Sequence, residues 1–319
     1  MISEDKYQNL QKVNVENQYI KFSILPEIGG KMISLVYKET SHEFISLSGR
    51  PFRRPIYGDN YGKYDISGFD ECFPAIAECF YPEWPWKGNI IPDHGELWTL
   101  PWQCNKENDI LTLSVNGVRF PYKITKTFSL EDKCVRLAYK LQNLSPFDFK
   151  YIWAAHSLFA VTPGTIIFLP GKPNIRTDFS KHERFGKHLY ETSWPMAKES
   201  NGKTVDLSIV KTQNFDHASK VFTTTLSEGW CGLHDPQTGD FLKFSFPVKE
   251  IPFVGMWINE GGWPFDDKPS FNVALEPCTG CPDNLATAIQ RGEHGLIKGL
   301  QTKSWTLDIT IGRSKNPFK

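Results

Sequence analysis

Residues 305–311 read Trp-Thr-Leu-Asp-Ile-Thr-Ile, with a large apolar residue at every second position. Alternation with a period of two is typical of a half-buried β-strand, because successive side chains point to opposite faces of the sheet. We expect the apolar residues of this segment to face a core. Three further segments repeat the pattern, at 19–25, 111–115 and 135–141. The sequence therefore predicts a fold built largely from strands.

Turn signals separate the strand-like segments, and helical periodicity is scarce. The turn dipeptides are Asn116-Gly117, Ser145-Pro146, Pro163-Gly164, Pro170-Gly171 and Thr238-Gly239. Short strands with turns between them favour a sandwich or barrel. Nothing in the sequence marks a domain boundary, so we expect residues 1–319 to form one all-β domain, a large antiparallel β-sandwich. Segments 51–92 and 171–218 break the rhythm, and we expect the first, which is rich in aromatic rings, to wall a cleft.

The charge balance excludes several classes of partner. Lys and Arg together number 36, as do Asp and Glu, so the formal net charge is zero. We therefore expect neither nucleic acid nor an anionic membrane as the partner. The polar start of the chain and the lack of a run of about 18 apolar residues predict no signal peptide and no spanning helix. Seven cysteines, an odd count, favour reduced thiols in a cytoplasm over a disulfide framework.

Three short segments contain the side chains that are candidates for chemistry. They are Pro-Asp-His-Gly-Glu-Leu-Trp at 92–98, Trp-Ala-Ala-His-Ser-Leu-Phe at 153–159 and Leu-Glu-Pro-Cys-Thr-Gly at 275–280. Taken singly, each titratable residue has an ordinary interpretation. His94 fits a surface turn, His156 fits a core histidine bonded to a carbonyl, and Glu276 fits a solvated charge at a strand end.

The strand before Glu276 alternates in the same way as the others. Its residues Phe271, Val273 and Leu275 share one face, while Ala274 and Glu276 lie on the other. The strand therefore presents a carboxylate opposite its apolar face, immediately before a proline ends the ladder.

In this order, the three segments resemble those of the galactose mutarotase-like superfamily, which includes aldose 1-epimerases and hexose-6-phosphate epimerases. The segment Gly-Gly-Lys-Met-Ile-Ser-Leu at 29–35 is similar to the opening strand of that superfamily. The resemblance implies a large antiparallel supersandwich whose concave face binds a monosaccharide. It also implies an isomerase that interconverts sugar anomers and needs no metal, no cofactor and no covalent intermediate.

The resemblance also implies a role for each residue. Glu276 matches the general base of the family, His156 its general acid, and His94 a histidine that holds the reactive end of the sugar. Asp216 is similar to a sugar-binding aspartate. Anomer interconversion opens the ring, so one group removes the proton of the anomeric hydroxyl while another protonates the ring oxygen. Glu and His have reference pKa values of roughly 4.3 and 6.5, so modest shifts bring both near neutral pH.

One segment departs from the family. Aldose 1-epimerases commonly place a sugar-binding arginine upstream of the first histidine, but residues 67–74 read Ser-Gly-Phe-Asp-Glu-Cys-Phe-Pro. We expect Asp70 to bind sugar hydroxyls, although pairing with a structural Lys or Arg is an open alternative for it and for Glu71. Trp86 and Trp257 are candidates to stack on a pyranose ring, and packing is the alternative for each.

Two other functions fit the same residues. The first is a carbohydrate-binding protein without catalysis on the same fold. The second is a glycoside hydrolase or lyase, which needs two carboxyl groups, and Glu276 with Asp70, Glu71 or Asp216 would supply them. The Cys-x-x-Cys at 278–281 has no second pair at zinc-finger spacing, so we expect no structural metal.

Overall fold

The structure, a computed structural model, describes residues 1–265 and 268–318. Its elements are strands, four single 3₁₀ turns and one short helix, α1 (Leu285–Arg291). The strands of the first half are β1 (Ile2–Tyr7), β2 (Leu10–Glu16), β3 (Ile20–Leu25), β4 (Lys31–Tyr37), β5 (His42–Glu43), β6 (Phe69–Cys72), β7 (Cys79–Phe80), β8 (Ile90–Ile91), β9 (Gln103–Glu107), β10 (Ile110–Asn116), β11 (Tyr122–Glu131), β12 (Cys134–Asn143) and β13 (Phe149–Tyr151).

The second half continues in the same style. Its strands are β14 (Ala154–Phe159), β15 (Ile166–Phe168), β16 (Asn174–Ser180), β17 (Glu191–Ser193), β18 (Met196–Lys198), β19 (Thr204–Asp206), β20 (His217–Thr223), β21 (Trp230–His234), β22 (Asp240–Ser245), β23 (Phe253–Glu260), β24 (Phe271–Cys278), β25 (Gly295–Ile297) and β26 (Thr302–Arg313). The 3₁₀ turns are Tyr61–Lys63, Leu97–Thr99, Lys181–Glu183 and Gln213–Phe215.

Two large antiparallel sheets form the body of the molecule. The larger has 12 strands in the order β1-β2-β3-β4-β6-β14-β24-β23-β20-β16-β17, with β5 paired to β4. The smaller has eight strands in the order β15-β21-β22-β26-β12-β11-β10-β9. Ring contacts join the two sheets, since Phe22 of β3 lies 5.5 Å from Phe128 of β11 and Phe159 of β14 lies 5.7 Å from Phe244 of β22. The expected all-β antiparallel sandwich is confirmed.

The alternating segments form strands whose apolar face is buried between the sheets. In β26, Trp305, Leu307 and Ile309 are buried while Thr306 is exposed. The same alternation fills the core from β10 and β12. Segment 171–218, which breaks the strand rhythm in the sequence, nevertheless contains β16 to β19. β16 and β17 extend the large sheet, while β18 and β19 pair with each other. No helix among the described residues is long and apolar enough to cross a membrane.

The large sheet is also covered on the face that points away from the small sheet. A second apolar cluster lies there, formed by Tyr61, Tyr64, Ile66 and Trp98 from connecting segments, together with residues of β14 and β24. Every residue of β14 is therefore buried, whichever face it points to. We call this covered side the site face, because the candidate catalytic side chains project from it.

Candidate active site

His156 and Glu276 lie across from each other on neighbouring strands. β14 pairs antiparallel with β24, with Ala154 opposite Cys278. Leu158 lies opposite Ala274 in the same register, so His156, midway between Ala154 and Leu158, lies opposite Glu276. Directly opposed side chains point to the same face, with Cβ atoms about 4.5–5.5 Å apart. The register thus brings together two residues that are 120 positions apart in the chain.

A cleft of about 790 Å³, including its open mouth, lies over this pair on the site face. Its polar lining is His94, His156, Lys220, Asn272, Glu276 and Asp283. Its apolar and aromatic lining is Tyr61, Ile66, Ile76, Leu158, Phe179, Trp257, Trp263 and Phe265. The three residues that the sequence assigned to catalysis therefore share one concave site, of a size that suits a small organic ligand.

Asp70 orients the ring of His156. It lies opposite His156 on β6, and its Oδ1 is 2.9 Å from His156 Nδ1. Burial opposes ionisation of Asp70, but the Lys31 ammonium, 3.2 Å away, and His156 outweigh it and hold its pKa well below the usual range. An ionised carboxylate only accepts hydrogen bonds, so Nδ1 of His156 carries the proton. Nε2 is then the nitrogen available to a ligand.

The turn that contains His94 depends on a glycine. His94 has a φ of +58° and Gly95 a φ of +73°. A Cβ on Gly95 would lie 2.1 Å from the carbonyl oxygen of Phe73, so no other residue fits without moving the backbone. The indole of Trp98 donates to the carbonyl of Asp93 at 2.9 Å. These contacts fix the His-Gly-x-x-Trp segment against β6.

His94 is held beside His156 by a ring stack and an aspartate. Its ring stacks on Tyr61 at 4.4 Å, and its centroid lies 5.0 Å from that of His156. Its Nδ1 is 2.9 Å from Asp93 Oδ1. Burial opposes ionisation of Asp93, but contact with His94 outweighs it and lowers the pKa of that carboxyl. Both histidines are thus oriented through Nδ1 by an aspartate.

Glu276 is paired with a lysine that the sequence analysis did not identify. Lys220 of β20 donates to Glu276 Oε2, although β23 lies between their strands. Gly255 of β23 stands opposite Glu276, and its lack of a side chain leaves the path between them clear. Burial opposes the charge on Lys220, but the carboxylates of Glu276 and Asp283 outweigh it and raise its pKa.

Asp283 is the second residue that sequence reasoning missed. It lines the cleft 3.9 Å from Lys220 Nζ, and its backbone N–H donates to Asp178 Oδ1 at 3.3 Å. Burial and the proximity of Asp178 raise the pKa of Asp283. Asp283 directly precedes Asn284, the N-cap of α1, so in the sequence it is typical of a helix start.

Four buried polar atoms around the cleft have no hydrogen-bond partner within the described part of the protein. They are Tyr61 Oη, Asn272 Oδ1, Glu276 Oε1 and Asp283 Oδ1. A buried polar atom without a partner costs roughly 1–3 kcal/mol, and native proteins contain few of them. Burial and the nearby Asp70 raise the pKa of Tyr61 well above its ordinary value, so its hydroxyl stays a donor. The arrangement suits a ligand with several hydroxyl groups.

Asp70 and Glu71, which lie where aldose 1-epimerases commonly have an arginine, each pair with a buried lysine of the protein. Glu71 points into the core, where it binds Lys126 Nζ through both oxygens at 2.8 Å and accepts from Tyr139 at 2.8 Å. Asp70 points to the site face but lies behind His156, outside the residues that line the cleft. The structure thus gives Asp70 partners within the protein in place of the expected sugar hydroxyls, because Lys31 and His156 occupy its carboxylate.

The two predicted tryptophans lie in different places. Trp257 lines the cleft and packs edge-on against Trp263 at 5.7 Å. Trp86 lies in the core, 5.0 Å from the ring of Phe149 and 5.6 Å from that of Tyr81. Its expected stacking on a sugar is therefore not supported, because a buried aromatic cluster already covers the ring.

Asp216 does not line the cleft. It pairs with Lys181 at 2.6 Å, and its side chain is largely exposed. Lys181 also lies over the ring of Phe265 at the mouth of the cleft, so Asp216 is at the outer rim rather than beside Glu276. In the described residues we find no group of three or more His, Cys, Asp or Glu placed to hold a metal, and Cys278 and Cys281 are buried free thiols.

Comparisons with known proteins agree with this architecture. Residues 2–50 match the family described as a domain of unknown function, DUF5107. No curated protein matches the chain in sequence. A galactose mutarotase-like protein from Lactobacillus casei superposes with a TM-score of 0.68 at 15% identity, over 94% of this chain and 100% of that one.

Two further solved structures give the same result. A galactose mutarotase related enzyme from Lactobacillus acidophilus has a TM-score of 0.64 at 13% identity, over 97% of this chain and 99% of its own. A galactose mutarotase-like protein from Clostridium acetobutylicum has a TM-score of 0.64 at 12% identity, over 98% and 99%. Likeness at such identities concerns the fold and not the activity. This chain has the galactose mutarotase-like fold, as its sequence resemblance predicted.

Proposed function

We propose that this protein is an aldose 1-epimerase-like isomerase, which interconverts the anomers of a monosaccharide by acid–base ring opening. The observation that supports this most strongly is the position of His156 opposite Glu276 in a cleft with unpartnered polar atoms. The anomeric oxygen and the ring oxygen of a pyranose are both bonded to C1. Two side chains from adjacent strands are therefore well spaced to reach one oxygen each.

The reaction follows from the contacts of each residue. Lys220 holds one oxygen of Glu276 and leaves Oε1 free to take the proton of the anomeric hydroxyl. Protonated His156 gives its Nε2 proton to the ring oxygen as the C1–O5 bond breaks. Rotation about C1–C2 then presents the other face of the aldehyde, and the two proton transfers reverse. Each positioned proton transfer typically contributes about 10²–10⁴-fold to the rate.

His94 and Tyr61 complete the reactive end of the site. His94 presents its second ring nitrogen beside His156, and the Tyr61 hydroxyl is a buried donor at the same place. Both groups suit a sugar oxygen near C1. No metal or cofactor enters these steps.

Anomer equilibration tests the proposal directly. Freshly dissolved α-aldoses of a broad panel are followed by optical rotation with and without the protein. We expect at least one aldose to equilibrate faster with the protein than without it. If none does while sugars still bind, the proposal is wrong and the non-catalytic carbohydrate-binding alternative stands.

A glycoside hydrolase has less support from the site. Asp70 and Glu71 are engaged by buried cations, and Asp216 lies at the rim, so none of the three faces Glu276 across a glycosidic bond. Release of product from aryl glycosides would favour the hydrolase.

We also propose that the protein works in a reducing cytoplasm, and its seven cysteines, all free thiols, support this.

A further inference from the structure

The cleft has a second, aromatic region beyond the catalytic pair. Phe179 of β16, Trp257 of β23 and Trp263 and Phe265 of the following segment all line it. Phe179 stacks near Trp257 at 6.0 Å, and Trp257 meets Trp263 at 5.7 Å. We call these four rings the outer platform. Phe265 is 71% exposed and Phe179 is 37% exposed, so the platform presents aromatic surface to solvent at the mouth of the cleft. A contiguous exposed apolar surface beside a groove is typical of a ligand-binding site.

The outer platform is held in place by a buried amide. Asn259 of β23 is fully buried, and its Nδ2 donates to the carbonyl of Trp263 at 2.6 Å. Its Oδ1 accepts from the backbone N–H groups of Gly262 at 3.1 Å and Trp263 at 3.2 Å. Three hydrogen bonds from one side chain therefore fix the backbone that carries Trp263. A rigid aromatic surface binds a ligand with little loss of conformational entropy.

The register of the sheet sets the distance between the platform and the catalytic pair. Trp257 stands opposite Ala274, which is two residues from Glu276 along β24. Phe179 stands opposite Lys220, which in turn stands opposite Trp257. Two residues of a strand span about 7 Å, roughly the width of one pyranose ring. A ring whose C1 lies at His156 and Glu276 thus ends where the platform begins, and the platform continues to the mouth.

Building on the proposed isomerase function, we propose that the same site takes a reducing disaccharide in preference to the free monosaccharide, with the second ring stacked on the outer platform. Ring opening needs a free anomeric hydroxyl only on the ring at His156 and Glu276, so a second sugar on a remote oxygen does not block the chemistry. The C–H face of a pyranose is apolar and packs well on aromatic rings. At the rim, Lys181 lies over Phe265 and pairs with Asp216, so polar groups also border the second ring.

The charges of the cleft fit this neutral ligand. Its one lysine, Lys220, is already paired with Glu276 and lies near Asp283, so among the described lining residues there is no cluster of cations for a phosphate. A second neutral ring, rather than a phosphate group, therefore accounts for the space beyond the first.

Anomer exchange measured by NMR on paired sugars tests the inference. Maltose, cellobiose and lactose are compared with glucose and galactose. We expect kcat/KM for at least one disaccharide to exceed that of the free monosaccharide by about tenfold or more. Phe265→Ala and Phe179→Ala should each lower the value for the disaccharide about three- to tenfold more than the value for the monosaccharide. Phe80→Ala, a 63% exposed phenylalanine outside the cleft, should change neither value.

Equal losses for both sugars in the platform variants, or faster turnover of monosaccharides than of every disaccharide, would overturn the inference and leave the isomerase intact. If no sugar is turned over, the isomerase proposal fails. Calorimetry of sugar binding then tests the outer platform separately. The disaccharide should then bind at least tenfold more tightly than the monosaccharide, and Phe265→Ala should remove that difference. Equal affinities would reject the platform as a second sugar site.

Discussion

Asp70 and Glu71 are adjacent residues that form buried ion pairs on opposite faces of β6. Variants of the two therefore separate the orientation of His156 from the stability of the fold. Asp70→Asn should lower kcat by about tenfold to a hundredfold, because a neutral amide no longer stabilises protonated His156. Glu71→Gln breaks a comparable pair with Lys126 in the core. Both variants should lose about 3–5 kcal/mol of unfolding free energy.

Steady-state kinetics and chemical denaturation measure the two effects side by side. Only Asp70→Asn should reduce kcat, while the affinity for the sugar changes little. An equal fall in kcat for Glu71→Gln would show that the loss comes from general destabilisation and not from the orientation of His156.

Glu276→Gln tests the base itself. The amide keeps the shape of the side chain and can still bind a hydroxyl, but it cannot accept the proton of the anomeric oxygen. Turnover should fall by about 10²–10⁴-fold, while the Kd of the sugar measured by calorimetry changes only a few-fold. Normal turnover in this variant would contradict the role assigned to Glu276.

The site residues that could be located from the sequence are those in local motifs. His94, His156 and Glu276 each lie in a recognisable segment, and the structure places all three around one cleft. Lys220 and Asp283 lie in no such motif, because their role depends on which strands are neighbours in the sheet. Lys220 is the only charged residue of a strand that otherwise reads as small, apolar or histidine, and this was the available signal.

At the scale of the element, Gly255 sets the geometry of the Lys220–Glu276 ion pair in the cleft. A Cβ at Gly255 would lie 2.9 Å from Phe222 Cε1 and 3.3 Å from Glu276 Oε2. Gly255→Ala should therefore displace Glu276, with a loss of about 1–3 kcal/mol of stability and a larger loss of kcat than of sugar affinity.

Gly312 of β26 is a matched control. It is also a buried strand glycine, but it lies in the small sheet. A Cβ at this position would lie 3.0 Å from Cε1 of Phe241 on the neighbouring strand β22. Gly312→Ala should show a similar thermal destabilisation with unchanged kcat at a temperature where both variants are folded. If Gly255→Ala keeps the wild-type kcat, the close approach of strands β23 and β24 is not important for catalysis.

Strand patterns predicted the small sheet better than the centre of the large one. β10, β12 and β26 have one face in the core, so their sequences alternate. β14 and β24 are covered on both faces, since the segment before β6 packs its rings on the site face. That covering is a tertiary effect, which the period of a single strand does not report.

At the scale of the whole molecule, the core supports our proposal that residues 1–319 form one domain, because one apolar cluster includes residues of both large sheets. Buried titratable groups then make the stability of the domain depend on pH. Burial, with neighbouring Arg184, lowers the pKa of His217 to about 4. The neutral ring contributes stability above the ordinary histidine pKa of roughly 6.5, and this contribution is lost as the pH falls toward 4.

Thermal unfolding between about pH 7 and pH 4 tests this dependence. Wild type should lose up to about 3 kcal/mol through His217 over this range, and His217→Gln should lose correspondingly less. His182→Gln, a change at an exposed histidine of the neighbouring turn that makes only a minor contribution to lowering the pKa of His217, should stay close to wild type. Parallel curves for wild type and His217→Gln would show that His217 does not contribute.

The central claim is that Glu276 and His156 act on the two oxygens of one anomeric carbon. A crystal structure of the Glu276→Gln variant with a bound aldose tests it most directly. We expect the anomeric oxygen within hydrogen-bond distance of the side chain at position 276, and the ring oxygen of the same sugar within hydrogen-bond distance of His156 Nε2. A sugar bound elsewhere, or turned so that C1 faces away from both side chains, would contradict the mechanism.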